Sequence, residues 1–156
     1  MNNQPRQIFR TIAVGLLISA DDKVLLGKKR DGGVYPDCWH LPGGGVKKDE
    51  TIEQALAREI KEETGFNLRS EGVAVRLIDD RGRGEHFKKT TSGEKVLAKM
   101  QFVVYEVRLS ANSADINLKP GDDLGELKWI RLDQLDKYQH TPPSIELFRR
   151  LGLMKN

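Results

Sequence analysis

Every position from 12 to 18 is apolar or glycine, with Ile12, Val14, Leu16 and Ile18 on one side of an extended chain and Ala13, Gly15 and Leu17 on the other. Side chains of a strand alternate between faces, so a run covered on both faces predicts a central strand rather than an edge strand with one wet side. The pattern resumes at Val24-Leu25-Leu26 after Ala20-Asp21-Asp22-Lys23, which makes residues 23–30 the hairpin partner of the first strand. Asp31-Gly32-Gly33 and Pro36 then break it, and Trp39-His40-Leu41 is long enough only for an extended stub before Pro42 and three glycines. Helical spacing follows. Ile52, Ala55, Leu56 and Ile60 form the buried stripe of a helix that begins near Thr51, stops at Thr64 and is closed by Gly65.

Residues 73–78 predict another strand, and residues 96–109 a longer one in which Ala98, Met100, Phe102 and Val104 alternate with Lys99, Gln101 and Val103. Between them, residues 79–95 are polar and glycine-containing and predict a loop of 17 residues, a length that usually marks function or mobility. Residues 111–125 form a second long connection running into the acidic Asp122-Asp123-Leu124-Gly125-Glu126, and residues 127–131 form the last strand. Thr141-Pro142 starts a terminal helix, a capping threonine before a first-turn proline, and Gly152 follows its last apolar residue, Leu151. Strands before and after a strong helix, with a second helix at the end and no internal repeat, predict a layered α/β domain with a mixed sheet over residues 1–156.

Composition narrows the class. The chain has 156 residues, the size of one domain, and its 38% hydrophobic content rises to about 48% with the 15 glycines, which excludes disorder and collagen. With 26 basic against 23 acidic residues the net charge is +3, too balanced for a protein that coats nucleic acid. Cys38 is the sole cysteine, so no internal disulfide forms, and a reducing, cytoplasmic setting is expected. The seven-residue apolar run is far short of the roughly 18 residues that span a bilayer. Arg6 and Arg10 before an apolar stretch ending in Ser19-Ala20 mimic a secretion signal, but the hairpin pattern continuing past Ala20 favours two strands of the domain.

The candidate chemistry lies on the first helix. Glu59 and Glu63 are one turn apart and Glu62 falls to the other side of Glu59, so three carboxylates share a face. Like charges at this spacing cost roughly 0.2–0.5 kcal/mol per pair, so the crowding calls for a cation. Arg58 and Lys61 supply it if the face is merely solvated; Mg²⁺ or Mn²⁺, which favour carboxylate and carbonyl oxygens, supply it if the face is a site.

The register of the surrounding residues separates the two readings. Gly44 is followed after five residues by Glu50 and, after seven more, by Arg58-Glu59-Ile60-Lys61-Glu62-Glu63-Thr64-Gly65-Phe66. This run resembles the signature of the Nudix hydrolases at every defined position, a match expected by chance in about one chain in ten million. Trp39-His40-Leu41-Pro42-Gly43-Gly44 and Leu127-Lys128-Trp129-Ile130 also look like landmarks of that family. The resemblance implies an α/β/α sandwich with a mixed sheet, and attack of water on a nucleoside diphosphate linked to another group. Such a pyrophosphate is a dense anion, and divalent metals both neutralise it and acidify a bound water.

Residue by residue, the resemblance implies Glu59, Glu62 and Glu63 as ligands of Mg²⁺ or Mn²⁺, with the Gly43 carbonyl as a further ligand. It implies Glu59 as the first candidate for general base, Arg58 as the partner that orients the acids, and Glu50 as a neighbour of the metals or of Arg58. Glu59, Arg58, Glu62 and Glu63 are thus the expected catalytic group. Some members draw a base or ligand from a later acidic loop, here Asp122, Asp123 or Glu126, and that choice stays open. Of the cations Lys28, Lys29 and Arg30, alternation points one set toward substrate phosphate, and Lys28 and Arg30 are the expected pair. Trp39 and Phe87 are candidates to stack on a base, while His40, His86 and Cys38 carry no pattern that assigns them a role.

Family members acting on ADP-ribose tend to place a proline, and those acting on dinucleoside polyphosphates a tyrosine, about fifteen residues past the box. Here no proline falls between Gly65 and Lys119, and the first tyrosine is Tyr105. Residues 25–30 and 46–51 look similar to GDP-mannose hydrolases, but that branch alters the glutamate cluster, which is intact here. A nucleoside triphosphate pyrophosphohydrolase is therefore expected. A nucleotide-sugar hydrolase, an RNA 5'-pyrophosphohydrolase using Lys88, Lys89, Lys95 and Lys99, and a non-catalytic nucleotide sensor are the alternatives. The expected partner is a small nucleotide, with neither nucleic acid nor membrane, and a homodimer is left open.

Overall fold

The computed structural model describes residues 4–155; residues 1–3 and 156, part of the span expected for the domain, lie outside the described residues. Six strands and two helices succeed one another: β1 (Arg6–Ile18), β2 (Lys23–Lys29), β3 (Gly43–Gly45), α1 (Ile52–Thr64), β4 (Val73–Lys89), β5 (Lys95–Leu109), β6 (Leu124–Arg131) and α2 (Pro142–Arg150). The sheet runs β4-β5-β1-β2-β6, with β3 added beside β1. β1 pairs parallel with β5 from Arg6↔Val96 to Ile18↔Arg108, and the other pairings are antiparallel, so the sheet is mixed.

The two-sided apolar pattern of β1 has its explanation in the two layers. Val14, Leu16 and Ile18 join Val24, Leu26 and Val104 under Leu147 and Phe148 of α2. Ala13 and Leu17 join Leu25, Val103 and Val107 under Ala55, Leu56 and Ile60 of α1. Each fully buried side chain of this size contributes about 1.5–3 kcal/mol, which is what fixes the strand faces. The result is an α/β/α sandwich. The segment that mimicked a secretion signal is the middle of this sheet. No helix among the described residues is long and apolar enough to cross a membrane.

The expected loop over residues 79–95 is instead a continuation of β4. It stays paired with β5 as far as Lys89↔Lys95 and turns only at 90–94, where Thr90 and Glu94 close the hairpin and Gly93 takes φ 87°. β4, β5 and the first half of β1 project here as an arm with side chains such as Phe9 and Phe87 exposed. Residues 80–89 of β4 are mostly polar or glycine, with no apolar alternation, so that segment reads as loop although it pairs along β5. Register shifts at Leu77/Asp79 and Asp79/Gly82 mark two bulges where the arm leaves the body. Pairing also recruits residues left out of the strands predicted from the pattern: Arg6 to Thr11 in β1, the glycines of β3, and Leu124 to Glu126 in β6.

Candidate metal and substrate site

α1 is held at both ends. Thr51 Oγ1 accepts from the Gln54 N–H (3.0 Å) while Gln54 Oε1 accepts from the Thr51 N–H (2.9 Å), and Gly65, at φ 77°, donates to the Lys61 carbonyl. This register places Glu59, Glu62 and Glu63 in the last turns, where the helix dipole disfavours negative charge. Stability alone does not favour acids there.

Arg58 organises them. Its Nε and Nη2 donate to both oxygens of Glu50 (2.7 and 2.9 Å), Nη2 also donates to the Gly45 carbonyl (3.0 Å), and Nη1 reaches Glu59 (2.8 Å) and Glu62 (3.4 Å). The hydrogen bond from Arg58 holds the Glu50 carboxyl down at about 2, and the same contact raises the guanidinium above its ordinary value. The Glu59 carboxylate lies against Gly44, where the Cβ of any other residue would collide with it. Burial raises the proton affinity of Glu59 against the pull of Arg58.

A loop docks on the end of α1 and completes the cluster. The Lys119 N–H donates to the Thr64 carbonyl (2.9 Å) and the Gly121 N–H to the Glu63 carbonyl (3.0 Å), satisfying groups that a helix end leaves unpaired. Gly121 approaches so closely that a Cβ would strike the Glu62 carbonyl. Asp122, at φ 52°, is thereby delivered to the acids, and carboxylate oxygens of Glu59, Glu62 and Asp122 lie within 4.8 Å of one another. Oxygens on one octahedral Mg²⁺ stand roughly 3–4 Å apart, so the three suit a hard divalent cation after small side-chain adjustments. Which acid of the late loop would reach the helix was not readable from sequence, because the docking runs through backbone groups.

Glu63 is placed differently from its neighbours. It is 4% exposed, accepts the Gly43 N–H (2.7 Å), and is pushed up to about 9 by burial, with Asp123 and Glu59 adding to the rise. Gly43 thus engages an acid through its N–H. Asp123 is beside Glu63 and ion-pairs with Lys29 (2.9 Å); burial pushes its carboxyl up, but Lys29 outweighs that and holds it below its ordinary value. Glu126 stands opposite Lys28 in the β2–β6 ladder, outside the cluster.

A cleft of about 310 Å³ opens beside these groups, lined at one end by Glu63, Gly43, Gly44 and Lys29 and floored by Ile12, Val14, Phe102 and Val104. Of the three strand-end cations, Lys29 lines it. The expected pair does not: Lys28 lies over the Trp39 ring (4.8 Å), and Arg30 donates to the Leu124 carbonyl (3.2 Å), because the register shift between Lys28 and Lys29 resets the alternation. Trp39 is buried in the core under α2, and Phe87 is on the arm with Lys95 over its ring. His40 and His86 line the cleft and Cys38 is buried.

A model of the NUDIX domain matches residues 9–151. The nucleoside triphosphatase NudI of Escherichia coli O139:H28 (strain E24377A / ETEC) is 30% identical over 139 residues, 88% of this chain and 94% of that protein. Among solved structures, RenU, a Nudix hydrolase from M. smegmatis, superposes with a TM-score of 0.68 at 21% identity, covering 93% of this chain and 85% of the other. The E. coli dihydroneopterin triphosphate pyrophosphohydrolase does so with a TM-score of 0.65 at 18% identity, covering 92% and 96%. Both likenesses bear on the fold.

Proposed function

The chain belongs to the Nudix family of pyrophosphate hydrolases, and we propose that its substrate is a nucleoside triphosphate, cleaved to a monophosphate and pyrophosphate. The observation that carries this reading is the convergence of Glu59, Glu62 and Asp122 oxygens within 4.8 Å beside a cleft of nucleotide size. The relationship to a nucleoside triphosphatase, over 88% of this chain and 94% of that protein, supports the substrate class.

In this reading Glu59, Glu62 and Asp122 hold Mg²⁺ or Mn²⁺, which when bound supplies charge neutralisation at the phosphates and a more acidic water. Arg58 keeps Glu59 and Glu62 aimed by tying both to Glu50 and β3. Glu59, whose proton affinity burial raises, accepts the proton of the attacking water. Lys29, at the acid end of the cleft, takes a phosphate oxygen as a point charge. Glu63 anchors the glycine strand through Gly43 and so fixes the distance between β3 and α1.

A panel of nucleoside triphosphates, nucleotide sugars, dinucleotides and triphosphorylated or capped RNA, each with Mg²⁺ or Mn²⁺ and with products separated by chromatography, tests the assignment. Triphosphates should yield monophosphate and pyrophosphate. Turnover confined to another member of the panel would replace the substrate class. Glu59→Gln should lower kcat by at least ~10²-fold with a melting temperature close to the parent, and Glu63→Leu, which removes the acceptor of the Gly43 N–H, should lower kcat as well. A variant that keeps the parental rate removes that carboxylate from the scheme.

A further inference from the structure

The cleft lies across four strands, and its two ends are the ends of the same cross-strand rows. Asp79 on β4 stands opposite Val104 on β5, Val104 opposite Val14 on β1, and Val14 opposite Gly43 on β3. The neighbouring row is Gly82, Phe102, Ile12 and Gly45. Val14, Val104, Ile12 and Phe102 form an apolar floor between the ends. With neighbouring strands ~4.8 Å apart, β3 and β4 are separated by roughly 14 Å. Glu63, Gly43 and Lys29 mark the β3 end. At the β4 end, Arg150 lines the cleft from the last turn of α2.

Arg150 is fixed from beneath. The Asp79 side chain, 0% exposed between the two bulges, accepts Nε (3.2 Å) and Nη2 (2.8 Å) of Arg150, and the Arg81 Nε (2.9 Å) as well. A carboxylate removed from water needs such partners, and a two-pronged contact fixes the plane of the guanidinium. A guanidinium has five N–H donors and no acceptor, so two bonds to Asp79 leave three. The Arg150 side chain retains 25% exposure, and Gly82 leaves room beside Nη2. Glu146, one helical turn earlier and therefore on the same face of α2, lines the cleft too. The β4 end thus offers a rigid donor next to an acceptor, separated from the acid cluster by an apolar floor.

Resting on the nucleotide reading above, the geometry points to Arg150 as the residue that reads the nucleobase, donating to a ring carbonyl while Glu146 accepts the adjacent ring N–H, with Asp79 as the positioning residue. The base edge that fits is a lactam: the 6-oxo edge of guanine or the 4-oxo edge of uracil and thymine. In the same orientation adenine and cytosine set an amino donor against the guanidinium and a bare nitrogen against the carboxylate. Each mismatch sets like against like at part-buried Arg150 and at Glu146, which is exposed at the cleft, and so disfavours these bases by more than the loss of one contact.

The test compares kcat/KM for GTP, UTP and dTTP with that for ATP and CTP, which share the same triphosphate. The parent should favour the lactam bases by ~10–100-fold, mostly through KM. Arg150→Met should bring the ratio close to one, with KM for GTP rising more than kcat falls. Asp79→Asn should weaken the ratio in the same way, because it loosens Arg150 without touching the base. If Arg150→Met does not fold, Arg150→Lys, which keeps the charge beside Asp79 but not the fork, should still lower the ratio several-fold. Equal kcat/KM for all five, or a preference that these variants leave intact, overturns the inference and leaves the pyrophosphohydrolase reading standing. No turnover of any triphosphate overturns both.

Discussion

His40 has its Nε2 atom buried with no hydrogen-bond partner among the described residues, and its ring faces the cleft near Lys29. Burial first, and the Lys29 charge second, bring its pKa down to about 4 from 6.5. The unfolded imidazole therefore takes up a proton between pH 6.5 and 4 while the folded one stays neutral. The stability His40 confers is complete above pH 6.5 and is lost as pH falls toward 4. Glu63, raised by burial, has the opposite slope from about pH 4.5 upward, so the parent's own profile mixes the two. The difference between parent and His40→Gln isolates the histidine: urea denaturation at pH 7 and pH 4.5 should show the parent losing about 2–3 kcal/mol more than the variant. Parallel losses would show that the ring titrates normally. No sequence pattern marked His40, because its environment is made by Lys29 and the loop that covers it. Glu59 and Glu62, by contrast, were placed on one face by helical spacing and marked as candidates by the run from Gly44 to Phe66.

Among the elements, α1 was the most legible, since Thr51, the apolar stripe and Gly65 each dictate a boundary through local chemistry. The docking of residues 119–123 onto its end was not, because it depends on backbone groups of Thr64 and Glu63 that every sequence possesses. What singles out this loop is Gly121, the residue without a side chain to strike the Glu62 carbonyl. Gly121→Ala should push the loop outward and carry Asp122 away from Glu59 and Glu62. The Mg²⁺ concentration giving half-maximal rate should rise by about tenfold, while circular dichroism keeps the parental helix content. An unchanged metal requirement would mean that Asp122 takes no part in holding the ion. β3 follows the same logic: Gly44 is glycine because the Glu59 carboxylate fills the space of a Cβ.

At the scale of the whole molecule, the sandwich followed from the pattern because both faces of β1 are covered, whereas the β4 strand of the arm did not, because ladder hydrogen bonds to β5 hold its polar residues and leave no apolar alternation. Its junction with the body is the Asp79 cluster, where one buried carboxylate joins β4 to α2 through Arg150. Asp79→Ala leaves that guanidinium part-buried without its partner and should lower the free energy of unfolding in urea by about 3–5 kcal/mol. A loss under 1 kcal/mol would show that α2 is held by Leu147 and Phe148 alone.

The parallel pairing of β1 with β5 has a consequence for how each copy is made. Arg6 meets Val96, so the first strand waits for residues 90 positions further along the chain. At roughly 5–20 residues per second on the ribosome, that wait is on the order of 5–20 s. Throughout it the longest apolar segment of the sequence has one edge open to neighbouring nascent chains, and a holdase that covers it until β5 emerges should raise the yield of native protein.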